Sequence, residues 1–257
     1  GNLMLPQAPA RRRVVSTVAA VSSTWHLTPR MMRVRLVDES LVGLAAVPGQ
    51  TLKIYVPDLV SGRLVSRDYT VRDYKGRDHT GRDHTGRDGD GVKTSLDIDF
   101  VLHGEGPATT WARRAQSGDT LEFLGPSGRY RPDPRVDWHL FAGDETALPA
   151  IQAYVAMLPA DASVLLYLEV ADAAERQPMP GVARPTVCWL HRGDQEPGDS
   201  TVLEDALRVV RLPPGQGRIW VAGHTPTVRR IRTHLLNERG IDRRALYVRG
   251  FWDRQGQ

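Results

Sequence analysis

Residues 95–111 read SLDIDFVLHGEGPATTW. Leu96, Ile98, Phe100 and Leu102 alternate with Asp97, Asp99, Val101 and His103, and that period of two marks a half-buried strand. The strand runs into His103-Gly104-Glu105-Gly106-Pro107, where glycines permit close backbone approach and Pro107 suits the first position of a helix. A helix opened this way points unpaired N–H groups and its positive dipole end at the turn, which makes a cradle for a pyrophosphate. The dinucleotide fingerprint is absent, because Thr109 stands where its third glycine belongs and the preceding chain lacks a strand–helix–strand rhythm. A plain strand–turn–helix corner fits the same residues.

Outward from this stretch the chain divides into two halves. Up to about Arg135 it reads as short strands: Val14 to Ser22, Met31 to Val37, Thr51 to Val56, Arg67 to Arg72, the strand already described, and Thr120–Leu124. Thr28-Pro29, Pro48-Gly49 and Gly125-Pro126 supply the turns between and after them. Six strands with few helices predict an antiparallel six-stranded barrel within residues 1–135. Beyond Asp133-Pro134 the rhythm changes. Trp138–Ala142, Val164–Val170, Thr186–Leu190, Arg218–Ala222 and Leu246–Val248 read as strands, and Ala147 to Leu158 and Val202 to Leu212 as helices. Ser200 or Thr201 caps the second helix, and Thr225-Pro226 opens a third whose stripe is Val228, Ile231 and Leu235 and whose end is Gly240. Strands alternating with helices predict a parallel α/β sheet within residues 136–257, covered on both faces.

Residues 76–90, GRDHTGRDHTGRDGD, are a tandem five-residue repeat. The period is too short for a solenoid unit, and the Gly-rich, charged composition reads as a solvated insert between two barrel strands. His79 and His84 with Asp78 and Asp83 hold metal-ligand chemistry, but a slack loop explains them with less, and no metal is expected.

The 257 residues carry a formal net charge of +4. Lysine occurs only at Lys53, Lys75 and Lys93, so any anion-binding groove is built mainly from planar arginine forks. The single cysteine, Cys188, excludes a disulfide framework or a multi-thiolate metal site and predicts a reducing, cytoplasmic setting. No apolar run is long enough to span a bilayer, and GNLMLPQAPARRRVV lacks the apolar core of a signal peptide. No stable membrane association is therefore expected. The basic charge is scattered, which argues against nucleic acid as partner.

Further stretches carry chemistry. Arg67-Asp68-Tyr69-Thr70 offers an arginine, a phenol and a hydroxyl for a phosphate and a flat ring, although an ordinary edge strand contains the same residues. Gly143-Asp144-Glu145-Thr146-Ala147 stands at the carboxyl end of the first α/β strand, where open α/β sheets bind ligands. Gly223-His224-Thr225-Pro226 ends a later strand, and Gly250-Phe251-Trp252-Asp253-Arg254 sets two aromatics beside a cation. No nucleophile elbow frames a Ser-His-Asp set.

In this order the motifs resemble the siderophore-interacting protein family, FAD-dependent ferric-siderophore reductases related to ferredoxin reductases. The resemblance runs from Leu27-Thr28-Pro29-Arg30-Met31 to Gly250-Phe251-Trp252, and R-x-Y-T at 67–70, HGEGPATTW at 103–111 and GDETALPAI at 143–151 are its most specific pieces. It implies a flavin-binding barrel followed by a nicotinamide-binding α/β domain. Arg67, Tyr69 and Thr70 would hold the flavin and its phosphate. Asp99, Val101 and His103, with Gly106, Pro107, Ala108 and Thr109, would line the ribityl and pyrophosphate path. Asp144, Glu145, Thr146 and Ala147 would border the nicotinamide, and Trp252 would belong to the cofactor site. His224, Arg249 and Arg254 would face a ferric siderophore, the arginines attracting an anionic chelate and His224 gaining charge as pH falls. No side chain is expected to be catalytic, since FAD carries the chemistry, with NADH or NADPH as donor and a ferredoxin as the alternative donor. The pattern departs at His224, where the family places glutamate, and at Asp253, where it places arginine. Another flavin oxidoreductase of the ferredoxin-reductase type and a non-catalytic binder of flavin or iron chelate remain alternatives.

Overall fold

The computed structural model describes residues 15–77, 80–82 and 93–254. His79, His84, Asp78 and Asp83 lie outside them. The first half holds seven antiparallel strands: β1 Thr17–Thr28, β2 Met31–Val37, β3 Thr51–Pro57, β4 Leu64–Thr70, β5 Asp73–Lys75, β6 Ser95–Val101 and β7 Thr120–Ser127. They are ordered β4-β3-β7-β1-β2-β6-β5. The sheet curls until β4 meets β6, with the Tyr69 and Phe100 rings 4.5 Å apart. One core fills the interior, built on Val34, Leu36, Leu52, Ile54, Ile98 and Phe100. The seventh strand, absent from the six expected, is β5, whose three residues are too few to display a period.

β6 also departs from a half-buried strand, because its polar face is covered as well. Asp97 and Asp99 are each only 3% exposed. They stand directly opposite Arg35 and Arg33 of β2. Each guanidinium takes its carboxylate in a two-point fork: 2.7 and 3.0 Å for Arg33 with Asp99, 2.8 and 2.9 Å for Arg35 with Asp97. Charge-assisted pairs of this geometry let a carboxylate sit out of water. The β6 chain then turns at His103–Gly106 into helix α1, Pro107–Arg114.

The second half is a parallel sheet of β8 Trp138–Gly143, β9 Val164–Val170, β10 Thr186–His191, β11 Gly217–His224 and β12 Leu246–Trp252, ordered β10-β9-β8-β11-β12. Helix α2, Leu148–Val155, contributes to one apolar layer against the sheet. Helices α3, Val202–Arg208, and α4, Thr225–Thr233, contribute to the other. Both faces are therefore covered, as the strand–helix alternation predicted. α2 and α3 are shorter than their apolar spacing suggested, whereas α4 runs on through a π turn, His234–Glu238, to the expected stop at Gly240. α3 stops at Arg208, short of Leu212. The N-cap of α4 is His224, because the Thr225 hydroxyl donates to the Trp252 carbonyl at 3.1 Å instead of capping. At α3 the Ser200 hydroxyl accepts from the Val202 N–H at 3.2 Å.

The halves are joined by polar and aromatic contacts. Arg72 Nε donates to Gln152 Oε1 at 3.0 Å, and the Tyr154 hydroxyl donates to the Gly49 carbonyl at 3.1 Å. The Tyr130 ring lies 4.9 Å from that of Tyr154 and 4.8 Å from that of Tyr247. The carboxyl ends of the parallel strands thereby face the barrel wall formed by β4 and α1.

Candidate functional site

Between these surfaces lies a cleft of about 590 Å³, within the range of small-molecule and cofactor sites. Its barrel wall brings together Arg67, Tyr69 and Thr70 of β4, Val101 and His103 at the end of β6, and Gly106, Pro107, Ala108 and Thr109 at the start of α1. Arg67 has no acidic partner among the described residues; one guanidinium nitrogen donates to the neighbouring Ser66 carbonyl at 2.8 Å. Tyr69 is half-buried against Phe100, and its hydroxyl has no hydrogen-bond partner among the described residues. Burial pushes the phenol up to about 12, so it stays neutral.

At α1 the cap residue Gly106 is extended and offers no side-chain acceptor. The first helical bond is Thr110 N–H to Gly106 O, 2.9 Å, which leaves the Ala108 and Thr109 N–H groups uncommitted. A methyl built on Gly106 would meet nothing within 4 Å, so the space before this helix end is open. An arginine with no ion pair within 4 Å among the described residues, a half-buried ring and a bare helix N-terminus fit the phosphate and ring system of FAD. These residues are the ones that would hold it.

The opposite wall is the carboxyl edge of the parallel sheet, with Asp144, Glu145 and Thr146 after β8 and Arg249 through Trp252 of β12. Asp144 is its knot. One carboxylate oxygen accepts from the Thr146 N–H at 2.9 Å and from the Thr146 hydroxyl. The other accepts from the His224 N–H at 3.1 Å and the Trp252 indole at 2.8 Å. Three adjacent strand ends are tied to one side chain. Gly223, at φ +148°, is required there, since a Cβ would stand 2.7 Å from Asp144 Oδ2.

Four expected residues lie off the cleft. The Asp99 carboxylate is consumed by Arg33, with Arg72 at 4.0 Å. Ala147 is 0% exposed, in the core layer under α2. The His224 ring sits 4.6 Å from that of Trp252, with Nδ1 2.9 Å from the Thr227 hydroxyl. Burial lowers its pKa, so the imidazole is neutral at neutral pH and takes up charge only at lower pH than an ordinary histidine. Arg254 pairs with Asp199 and donates to the Pro197 carbonyl at 2.9 Å, which secures the segment before α3. Of the three residues expected to face a siderophore only Arg249 lines the cleft, its guanidinium 5.9 Å from the centroid of Phe251.

Thr51, Lys53, Ser66, Asp68 and Pro197 join the lining without having been foreseen. Lys53 pairs across the sheet with Asp68. That register was the signal that would have found it, since both fall on the outward face of their strands. Pro197 arrives on the segment following β10, whose Glu196 approaches His103 at 3.5 Å.

Behind the sheet wall, Arg192 is buried between two carboxylates. It donates to Glu145 at 2.8 Å through one nitrogen and also through the other, and to Glu169 at 3.2 Å. Burial, with Asp144 and Glu145 nearby, pushes the Glu169 carboxyl up to about 7 against the pull of Arg192. Burial raises Glu145 as well. Among the described residues no group of His, Cys, Asp and Glu is arranged to hold a metal, and no helix is long and apolar enough to cross a membrane.

Comparison with known proteins gives two family matches: the siderophore-interacting FAD-binding domain over residues 20–130 and the siderophore-interacting protein family over residues 136–255. An uncharacterized protein of Mycobacterium tuberculosis is 37% identical over 175 residues, 64% of this chain and 62% of that protein. The chain thus spans under two thirds of the length of that relative. The ferric vibriobactin reductase ViuB of Vibrio cholerae is 32% identical over 238 residues, 89% of this chain and 86% of that protein. Among solved structures, a siderophore utilization protein from T. fusca superposes with a TM-score of 0.81 at 34% identity, covering 95% of this chain and 94% of that one.

Proposed function

The chain belongs to the siderophore-interacting protein family, and from that premise we propose that it is a FAD-dependent oxidoreductase that passes electrons from NADH or NADPH to a ferric siderophore, releasing ferrous iron. One observation carries the reading: a single cleft sets Arg67, Tyr69 and the bare end of α1 opposite the carboxyl edge of a parallel sheet. In this reading residues 1–135 are the FAD-binding domain and residues 136–257 the NAD(P)H-binding domain.

Bound FAD supplies the exchange between a two-electron donor and one-electron ferric acceptors. The chain's residues do the rest. Arg67 and the Ala108 and Thr109 N–H groups neutralise and orient the cofactor's phosphates. Tyr69, neutral and backed by Phe100, presents a ring face for the isoalloxazine to pack against. The Asp144 knot keeps the β8, β11 and β12 ends in fixed relation, so a nicotinamide entering over Thr146 meets a preformed surface. Lys53 and Arg249 set positive charge at the cleft, which draws in an anionic chelate. Two ferric ions are reduced per hydride, and the weaker grip of the siderophore on Fe(II) frees the metal. No side chain needs to break a bond. The reading also takes the cytoplasm as the place of action, in keeping with the single cysteine.

The test is anaerobic. Adding NADH or NADPH to the yellow holoprotein should bleach the flavin band, and a ferric hydroxamate or catecholate should restore it while a ferrous trap develops colour. A flavin that bleaches but is not reoxidised by any ferric chelate would reject the acceptor. Failure to bleach with either nucleotide would reject the donor.

A further inference from the structure

The chain's excess of positive charge is concentrated in one segment. Residues 202–244 carry nine arginines and four acids, while the rest of the chain holds 25 cations against 26 acids. That segment builds α3 and α4, the layer on the sheet face opposite α2. α2 is the helix that meets the barrel, through Gln152 with Arg72 and Tyr154 with Gly49, so the barrel leaves the α3–α4 layer uncovered. All four acids of the segment are engaged. Glu204 accepts from Arg208 at 3.0 Å and from Arg230 at 2.9 Å, and Asp205 from the Thr201 hydroxyl at 2.8 Å. Glu238 pairs with His234 at 2.8 Å and Asp242 with Arg244 at 3.2 Å. Arg218, at the start of β11, faces Asp133 at 3.9 Å. Arg211, Arg229, Arg232 and Arg243 are exposed and stand in no ion pair among the described residues. Arg239 donates to the Arg208 and Val210 carbonyls at 3.3 and 2.7 Å, which folds the end of the π turn against the end of α3 and gathers the arginines of both helices.

From this arrangement we propose that the α3–α4 face docks the protein reversibly on an anionic phospholipid bilayer, with headgroup phosphates meeting Arg211, Arg229, Arg232, Arg239 and Arg243. A guanidinium fork matches a phosphate, and clusters of about four to eight basic side chains are the size that an anionic leaflet holds. At about 1.5 Å per helical residue, Arg229 and Arg239 lie about 15 Å apart along the axis, close enough to reach one patch of lipid. The face is ill suited to a folded protein partner. A stable protein interface has an apolar, aromatic core, whereas the one large apolar side chain exposed here among the described residues is Val209. Lipids diffuse to wherever the charges stand, so arginines spread over two helices and a turn need no matched surface. Attachment of this kind is electrostatic, without a spanning helix or an inserted wedge. It also leaves the cleft open, because α4 begins at the carboxyl edge of the sheet with Thr225 and carries its arginines away from that edge.

The experiment is co-sedimentation of the holoprotein with vesicles. It should bind vesicles of three parts phosphatidylcholine to one part phosphatidylglycerol at low salt, and vesicles of phosphatidylcholine alone should not hold it. Release should follow as ionic strength rises through about 0.15 M, where charges are screened beyond about 8 Å. Each arginine at the lipid surface is worth about fivefold in partitioning. Arg229→Gln/Arg232→Gln should therefore weaken binding about 25-fold, and Arg211→Gln/Arg243→Gln by as much, with FAD content and melting temperature unchanged. Arg63→Gln/Arg184→Gln removes the same charge from exposed positions on the barrel and on the α2 side, and should cost less than about twofold, because the attraction fades within a screening length. Binding to neither kind of vesicle, equal binding to both, or an equal loss in the control pair would overturn the docking face. So would a short DNA duplex or polyglutamate that binds more tightly than the anionic vesicles at the same salt and is lost in the same variants, which would give the face to a nucleic acid or to an acidic protein.

Discussion

The two walls of the cleft are built on opposite plans. The barrel wall leaves its polar groups open: Arg67 hydrogen-bonds a neighbouring carbonyl and has no ion pair among the described residues, the Tyr69 hydroxyl is unpartnered among the described residues, and the first N–H groups of α1 point into space. The sheet wall satisfies itself. Asp144 accepts four hydrogen bonds that join three strand ends, and Glu145 and Glu169 share Arg192 behind it. Open groups suit a resident ligand that completes them, because unmet donors are costly until something fills the site. A self-satisfied wall suits a co-substrate that must come and go without the surface collapsing. Substitutions on the two walls should therefore fail differently, one in stability and the other in cofactor content.

The largest effect is expected from Asp144→Ala. It strips partners from the Trp252 indole and the His224 N–H and unties β8, β11 and β12, at a cost of about 3 kcal/mol or more. Thermal unfolding should fall by roughly 6–12 °C for a chain of this size. A melting temperature within a degree of wild type would break the contrast between the walls. Arg67→Ala should do the reverse. The apoprotein should melt unchanged, while FAD affinity falls by about 1.5–3 kcal/mol, the worth of a charge-assisted contact. Full flavin occupancy with unaltered affinity would remove Arg67 from the cofactor site.

Glu169 sharpens the comparison through pH. Its carboxyl is raised from an ordinary value of 4.5 to about 7, so the folded protein holds a proton that the unfolded chain releases. The stability gained is complete below about pH 4.5 and is lost as pH rises through about 7. Glu169→Gln should leave the melting temperature nearly unchanged at pH 5 and be more stable than wild type at pH 8.5, by on the order of 2 kcal/mol. Parallel pH profiles for the two proteins would show that Glu169 does not titrate in this range. The smallest effect is expected from the repeat. Replacing residues 78–90 by a short Gly-Ser connection, with Arg77 kept for its 2.8 Å contact to Glu39, should change stability by under about 1 kcal/mol, because loop closure depends weakly on length. Loss of FAD on that replacement would give the repeat a role.

Much of the architecture was legible because it is local. The alternation at Leu96, Ile98 and Phe100 and the apolar run Val164–Val170 each declare a strand without reference to the rest of the chain, and Gly106-Pro107 declares where α1 begins. The barrel side of the cleft was readable for the same reason, since Arg67 and Tyr69 lie two apart on one strand and Gly106 to Thr109 are consecutive. Residues whose direction depends on a distant partner were not readable. Asp99 looked available until Arg33, 66 positions away, was seen to claim it. Arg249 and Arg254 looked equivalent, but Arg254 is held by Asp199, 55 positions away. Lys53 was not expected at the cleft, because only the pairing of β3 with β4 sets it beside Asp68.

The sequence by itself determined the strand and helix periods, the break near Asp133-Pro134, the glycine–proline corner and the family motifs, all of which are encoded within a few residues of one another. Only the tertiary structure decided which charged groups remain free to meet a ligand. Burial and cross-strand register commit Asp99, Asp144 and Arg192 to protein partners, an exposed ion pair with Asp199 holds Arg254, and Arg67, Lys53 and Arg249 are left at the cleft. The physical reason is that a charge out of water must find its opposite charge or its donors in space, and the chain brings those from tens of residues away.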